Sequence, residues 1–82
     1  MLKLKLFGTL GCHLCEDASK IIANCEPGLF EIESIDIADH DQWQEKYALR
    51  IPVLYHPVTN KDLSWPFEQD QVQLFIEELL DD

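Results

Sequence analysis

The chain has 82 residues, of which 46% are hydrophobic, and six basic against sixteen acidic residues give it a net charge of −10. This charge opposes binding to nucleic acids and to anionic membrane surfaces, and no apolar run approaches the ~20 residues of a membrane span. A chain of this length predicts one domain, residues 1–82, with a small core that removes roughly 60–65% of the unfolded surface from water.

The first predicted element is a strand over residues 2–7, in which leucines alternate with Lys3 and Lys5. Such an alternation is not the uninterrupted apolar stretch of a signal peptide, so we expect the chain in the cytoplasm, where thiols stay reduced. The odd count of three cysteines also argues against a scaffold of structural disulfides.

Two cysteines, Cys12 and Cys15, lie where this strand turns into a helix. The turn contains Gly8 and Gly11, and the apolar positions beyond it predict a helix from about Cys12 to Asn24. The N–H groups and the dipole of a helix N-terminus favour a thiolate, the form of cysteine that attacks disulfides. The placement is typical of a redox pair; the alternatives are half of a zinc site and two idle thiols.

Two nearby side chains each have more than one interpretation. Cys25 lies on the apolar stripe of the helix and is predicted to be a small buried hydrophobe rather than a redox cysteine. His13, if charged, would favour a thiolate on Cys12, or it points into water, because adjacency in sequence does not fix the direction of a helical side chain.

A second strand is predicted over residues 29–37, after a helix stop at residues 26–28 that contains proline and glycine. The alternation of its apolar residues changes face near Ser34, which indicates either a bulge or a strand covered on both faces. Strand, helix and strand in this order predict a βαβ unit with parallel strands.

A short second helix is predicted from about His40 to Tyr47. Asp39 with Gln42 three residues on is a capping-box pattern, and Trp43 and Tyr47 are its buried side chains.

The last elements are a hairpin and a helix. Val53–His56 is predicted as a strand that begins after Pro52, and residues 62–65 as its hairpin partner. Asp70 to Gln73 repeats the capping-box pattern before a helix whose apolar stripe is Val72, Phe75, Ile76, Leu79 and Leu80.

The two tryptophans, Trp43 and Trp65, are predicted to be core or rim aromatics. They are not predicted to stack on nucleic-acid bases, because no row of basic residues accompanies them.

Three features together resemble small bacterial glutaredoxin-like proteins of the thioredoxin-fold superfamily. They are Cys12-His13-Leu14-Cys15 after the first strand, the segment 47–52 that ends in Ile-Pro before the third, and the order βαβαββα. The likeness spans essentially the whole chain.

The resemblance implies an α/β fold of the thioredoxin type. The four-stranded mixed sheet would have the order 2-1-3-4, with the third strand antiparallel to the rest and helices on both faces. It also implies a cis peptide bond between Ile51 and Pro52, packed opposite the cysteines.

The function implied is thiol–disulfide exchange through a mixed disulfide. The catalytic residues would be Cys12 and Cys15, and the substrate-binding residues His13, Leu14, Arg50, Ile51 and Pro52. The expected partners are a disulfide-containing protein or glutathione and a recycling reductant. Glutathione would be a co-substrate, and we expect no bound cofactor, no metal and a monomer.

The chain departs from well-studied glutaredoxins in two places. His-Leu replaces Pro-Tyr between the cysteines, and residues 64–67 replace the glycine pair that grips glutathione. An alternative is therefore a redox-inactive binding module that uses the groove beside Ile51 and Pro52. A zinc site is a further alternative, although Cys25, His40 and His56 are scattered, as is an iron–sulfur cluster shared between two chains through glutathione.

Overall fold

The computed structural model describes residues 2–9, 11–25, 28 and 30–81. The elements in chain order are β1 (Leu2–Gly8), α1 (His13–Ala23), β2 (Phe30–Asp36), a 3-10 helix (Ile37–Asp39), α2 (Asp41–Tyr47), β3 (Val53–His56), β4 (Lys61–Ser64) and α3 (Gln69–Asp81). The predicted order βαβαββα is confirmed.

The four strands form one sheet in the order β2-β1-β3-β4. β1 pairs in parallel with β2 and antiparallel with β3, and β3 pairs antiparallel with β4. The third strand is therefore the antiparallel one, as the resemblance implies.

β2 is covered on both faces and contains no bulge. Its pairing with β1 is unbroken from Phe30 to Asp36. Phe30 and Ile32 pack on one side of the sheet and Ile35 on the other, which explains why the alternation of apolar residues changes face near Ser34. The bulge alternative is wrong.

The strand also ends earlier than predicted. The carboxylate of Asp36 accepts a hydrogen bond of 2.9 Å from the Ala38 N–H and caps the 3-10 helix that begins at Ile37. Leu29 at the predicted start lies outside the described residues, as do Glu26 and Pro27 of the predicted helix stop.

Two apolar clusters lie on opposite faces of the sheet. One is formed with α1 and α3, and its buried residues are Leu4, Leu6, Ala18, Ile22, Cys25, Leu54, Phe67, Val72, Phe75, Ile76 and Leu79. The other is formed with α2 and contains Phe7, Ile37, Tyr47, Val53 and Tyr55. Because each side of the sheet buries apolar side chains, helices are needed on both faces.

The rim of the second cluster is aromatic. Trp43 is half-buried and stacks on Phe7 with ring centroids 5.0 Å apart. Trp65, also half-buried, meets Phe67 edge-on at 5.1 Å on the other side of the sheet. Both tryptophans are packed within the fold, as predicted.

Both predicted capping boxes are displaced from the real helix starts. The residue before α2 is His40, whose side chain makes no capping bond, and Asp39 belongs to the 3-10 helix. α3 begins at Gln69 rather than after Asp70, and the Gln71 side chain accepts a 2.7 Å hydrogen bond from the Glu68 N–H. Leu80, predicted on the buried stripe, is 47% exposed.

Within the part of the chain that the structure describes, no helix has the length and apolar character needed to cross a membrane.

Candidate redox site

Cys12 is the N-cap of α1. Its backbone is extended, and its carbonyl accepts a 3.2 Å hydrogen bond from the Glu16 N–H. Its Sγ accepts a 3.2 Å hydrogen bond from the Cys15 N–H. The predicted helix start is thus one residue early. A sulfur acceptor at the N-cap lies where free N–H groups stabilise negative charge.

Cys12 and Cys15 are joined in a disulfide, with their Cα atoms 5.2 Å apart. Both residues are half-buried. This pairing fulfils the geometric condition for a C-x-x-C redox pair, because the second sulfur can close a ring on the first.

Gly8, the last residue of β1, lies directly beneath the second sulfur. A β-carbon built on Gly8 would lie 2.7 Å from the Cys15 Sγ and 3.3 Å from the Cys15 Cβ. The absence of a side chain at Gly8 therefore makes room for the disulfide.

Pro52 immediately precedes β3, the strand that pairs with the end of β1. Phe7 pairs with Val53, so the same antiparallel register continued by one residue places Pro52 opposite Gly8. The Ile51–Pro52 bond is cis, as the resemblance implies, and Pro52 is buried. Its carbonyl accepts a 3.0 Å hydrogen bond from the Trp65 N–H. Ile51 is half-buried against the aromatic cluster.

His13 and Leu14, between the cysteines, face outward. The His13 side chain is 95% exposed, and its Nδ1 lies 3.9 Å from a carboxylate oxygen of Glu16. Leu14 is 46% exposed. The structure supports the interpretation in which His13 points into water. The predicted roles of His13 and Leu14 in substrate binding stay predictions.

Arg50 is held within the fold. Its guanidinium donates to Asp62 at 2.8 Å and to Ser64 at 2.6 and 3.0 Å, and it lies over the Tyr47 ring at 5.0 Å. These contacts direct Arg50 toward β4, and its predicted role in substrate binding stays a prediction.

An open groove of about 410 Å³ adjoins the disulfide on its β2 side. Cys12, Cys15 and Gly8 form one wall, and Ile35 and Asp36 of β2 form another. The groove lies apart from the predicted binding residues Arg50, Ile51 and Pro52, which do not line it.

Cys25 is a buried thiol, as predicted. It is 3% exposed, its Sγ lies 3.6 Å from the Ile21 carbonyl oxygen, and burial raises the pKa of the thiol. A protonated, buried thiol is a poor nucleophile.

No group of three or more metal-binding side chains occurs among the described residues. His56, one of the scattered candidates, has its Nδ1 2.7 Å from the Thr59 hydroxyl.

Sequence reasoning identified the two cysteines and placed Glu16 in the first turns of the helix beside them, but it missed the contacts of Gly8 and Asp36 with the site. Gly8 was interpreted only as a turn residue, although a glycine at the end of a strand before C-x-x-C is a signal of close approach. Glu16 of α1 and Asp36 of β2 line the same groove because α1 lies beside the end of β2, and no local sequence pattern encodes that arrangement.

Two solved structures resemble the chain over nearly its full length. The X-ray structure of target protein XcR50 from X. campestris has 32% identity and a TM-score of 0.78, covering 92% of this chain and 96% of that one. The solution structure of XcR50 has 31% identity and a TM-score of 0.78, covering 95% of each chain.

A curated relative matches only a short segment. Endo-1,4-beta-xylanase A from Thermotoga maritima is 47% identical over 36 residues, which are 44% of this chain and 3% of that enzyme. The chain thus spans a very small part of the length of this relative, and the match carries no argument about activity.

The family model "Glutaredoxin-like domain (DUF836)" matches residues 3–77. With the C-x-x-C disulfide at the start of α1 and the thioredoxin-like sheet, this match shows that the chain belongs to the glutaredoxin-like domain (DUF836) family.

Proposed function

We propose that this domain is a thiol–disulfide oxidoreductase in which Cys12 attacks and Cys15 resolves. The observation that carries the proposal is the Cys12–Cys15 disulfide at the N-terminus of α1, with the Cys12 sulfur as the N-cap acceptor.

The helix terminus favours the charge that the first step needs. When the disulfide is reduced, the Cys12 thiolate would keep its place at the positive end of α1. Such a position stabilises an anion by about 0.3–2 kcal/mol. The exposed acids Glu16 and Asp17 on the first turns of the helix act in the opposite sense.

The exchange has two balanced steps. The Cys12 thiolate attacks one sulfur of the substrate disulfide, forming a mixed disulfide and releasing the other sulfur as a thiolate that takes up a proton. The Cys15 thiol then loses its proton and attacks the Cys12 sulfur, which releases the second substrate thiol and closes the Cys12–Cys15 bond. Two electrons pass from the domain to the substrate.

A dithiol or glutathione would return the disulfide to the reduced form. The chain's fit to glutathione is poor where glutaredoxins use a glycine pair, since the Ser64 hydroxyl is bound by Arg50 and Trp65 packs on Phe67. These contacts support a dithiol mechanism, in which Cys15 and not glutathione resolves the mixed disulfide.

Turnover of insulin and of hydroxyethyl disulfide tests the proposal. With dithiothreitol as the reductant, the wild-type chain should reduce both faster than dithiothreitol alone, and Cys12→Ser should add nothing to that background. Cys15→Ser, reduced and then freed of dithiothreitol before the substrate is added, should stop at the mixed disulfide, visible by mass. Cys25→Ala is the matched control and should retain turnover. Unchanged turnover in Cys12→Ser would refute the proposal, and an inactive wild-type chain that binds a partner saturably would favour the redox-inactive binding module.

A further inference from the structure

The groove beside the disulfide continues along the sheet edge. A second groove of about 400 Å³ lies between the later part of α1 and the earlier part of β2, and it shares Leu6, Ser19 and Ser34 with the first. The two together, here called the α1–β2 trough, extend from the disulfide to the region of Ile22 and Phe30.

The trough is longer than a tripeptide. β2 has seven residues, and at about 3.3 Å per residue it spans roughly 20 Å, whereas the three residues of glutathione extend over about 10 Å. β2 is also an edge strand, so its outer backbone groups are open to an added strand. An extended polypeptide fits these dimensions better than glutathione does.

Charge differs along the trough. Glu16 and Asp36 line the disulfide end, and no lysine or arginine is among the described residues that line either groove. The far end has no charged side chain among the described residues that line it, and its apolar side chains include Ile22, Phe30 and Ile32. Two carboxylates beside the reacting sulfur attract a cationic side chain and repel the carboxylates of glutathione.

We propose that the α1–β2 trough binds an extended segment of a disulfide-bearing protein, with a basic residue beside the reacting cysteine and apolar residues farther along. This inference rests on the proposed function and names its substrate class. The exchange itself is unchanged: the reduced chain supplies two electrons, the substrate disulfide becomes two thiols, and the Cys12–Cys15 disulfide forms.

Single-turnover kinetics with pre-reduced protein test the inference. The probes are two symmetric peptide disulfides of equal length and equal apolar content, one with lysine and one with glutamate next to the cysteine. Hydroxyethyl disulfide, which is small and uncharged, is the reference. We expect the lysine peptide to react about tenfold faster than the glutamate peptide, with the difference shrinking at high salt.

Variants locate the effect in the trough. Ser19→Phe places a large ring at the position where the two grooves meet. It should lower the ratio of the lysine-peptide rate to the hydroxyethyl disulfide rate about tenfold. That change corresponds to a loss of roughly 1.4 kcal/mol of binding free energy. Gln44→Phe places the same ring at an exposed position on α2 and should leave that ratio unchanged.

The charges are tested separately. The double substitution Glu16→Gln and Asp36→Asn should reduce the preference for the lysine peptide over the glutamate peptide, because it removes both negative charges. Asparagine at position 36 keeps an oxygen that accepts the hydrogen bond of the Ala38 N–H, so the local structure is retained. Glu45→Gln, an exposed position on α2, is the control. Equal rates for the two peptides, or ratios unaffected by Ser19→Phe, would overturn the inference while the hydroxyethyl disulfide rate still supports the redox function. No reaction with any disulfide would instead overturn the function itself.

Discussion

The Cys15 sulfur packs against the backbone of Gly8 so closely that no side chain fits there, since a β-carbon would lie 2.7 Å from it. In the disulfide this sulfur is tied to Cys12 and cannot move away. In the dithiol the Cys15 side chain is free to take the other rotamer that a helix allows. A methyl group at Gly8 therefore penalises the oxidised form more than the reduced form.

Gly8→Ala should shift the dithiol–disulfide equilibrium toward the dithiol. We expect a change of about tenfold, which corresponds to a potential higher by about 30 mV for a two-electron couple. The measurement is a titration against glutathione buffers.

Gly28→Ala is the control for that titration. Gly28 has a φ of +91° with open space around it, so alanine there strains the backbone without touching a sulfur. It should lower stability and leave the equilibrium unchanged. An equal potential for Gly8→Ala and wild type would contradict the steric account.

At this scale the sequence predicted the positions of the cysteines better than it predicted their contacts. The positions of Cys12 and Cys15 follow from a strand pattern that changes into a helix pattern, and the burial of Cys25 follows from its place on the apolar stripe. The direction of His13 and the contact between Gly8 and Cys15 depend on how α1 packs on β1, which no local pattern encodes.

Between elements, one polar network joins the end of α2 to β4. The Asp62 carboxylate accepts hydrogen bonds from Arg50 at 2.8 Å and from the Tyr47 hydroxyl at 3.1 Å, while Arg50 also binds Ser64. Tyr47 is fully buried, so its hydroxyl depends on this partner.

Asp62→Ala should destabilise the fold by about 1–3 kcal/mol, because it leaves the buried Tyr47 hydroxyl without its acceptor. Urea unfolding followed by circular dichroism measures the change.

Glu33→Gln is the matched control, because the ion pair of Glu33 with Lys5 is at the surface, with side chains 67% and 31% exposed. Its effect should stay within about 0.5 kcal/mol. Equal effects of the two substitutions would show that the network contributes no more than a surface ion pair.

The elements themselves were predictable, but their ends were less so. The hydrophobic periods identified all seven helices and strands of the βαβαββα order. The capping boxes gave wrong helix starts because acids and glutamines are frequent in this chain and fit the pattern by chance. The side chain that reaches back to the start of α3 is that of Gln71, not Gln73. Leu80 follows Leu79 directly, so it points about 100° away from it around the helix, and it is 47% exposed.

Over the whole molecule, the burial of Tyr47 in the second apolar cluster makes the stability of the fold sensitive to high pH. Burial first, and then the hydrogen bond to Asp62, raise the pKa of Tyr47 to about 12 from the ordinary value of 10.0. The folded state therefore favours the neutral phenol. This contribution is complete below about pH 10 and is lost as the pH rises toward 12.

The free energy of unfolding should fall by about 2 kcal/mol more in the wild type than in Tyr47→Phe between pH 10 and pH 12. Groups that titrate alike in both proteins, including Cys25, cancel in the comparison. Chemical unfolding at a series of pH values measures the difference, and parallel pH profiles would contradict the assignment.

The overall topology was accessible from sequence only because a resemblance supplied it. Periodicity predicts strands and helices, yet the sheet order 2-1-3-4 and the cis bond at Pro52 came from the likeness to glutaredoxin-like proteins. The α1–β2 trough could not be foreseen, because it depends on where α1 lies relative to the edge strand β2.

The most direct test of the account is the alkylation rate of Cys12 in the reduced, native chain at neutral pH. Iodoacetamide labelling followed by peptide mass analysis reports each cysteine separately, and the buried Cys25 serves as the unreactive reference. We predict that Cys12 reacts about tenfold faster than in the unfolded chain, because the N-terminus of α1 stabilises its thiolate. A Cys12 that reacts no faster in the native chain than in the unfolded chain would contradict the account.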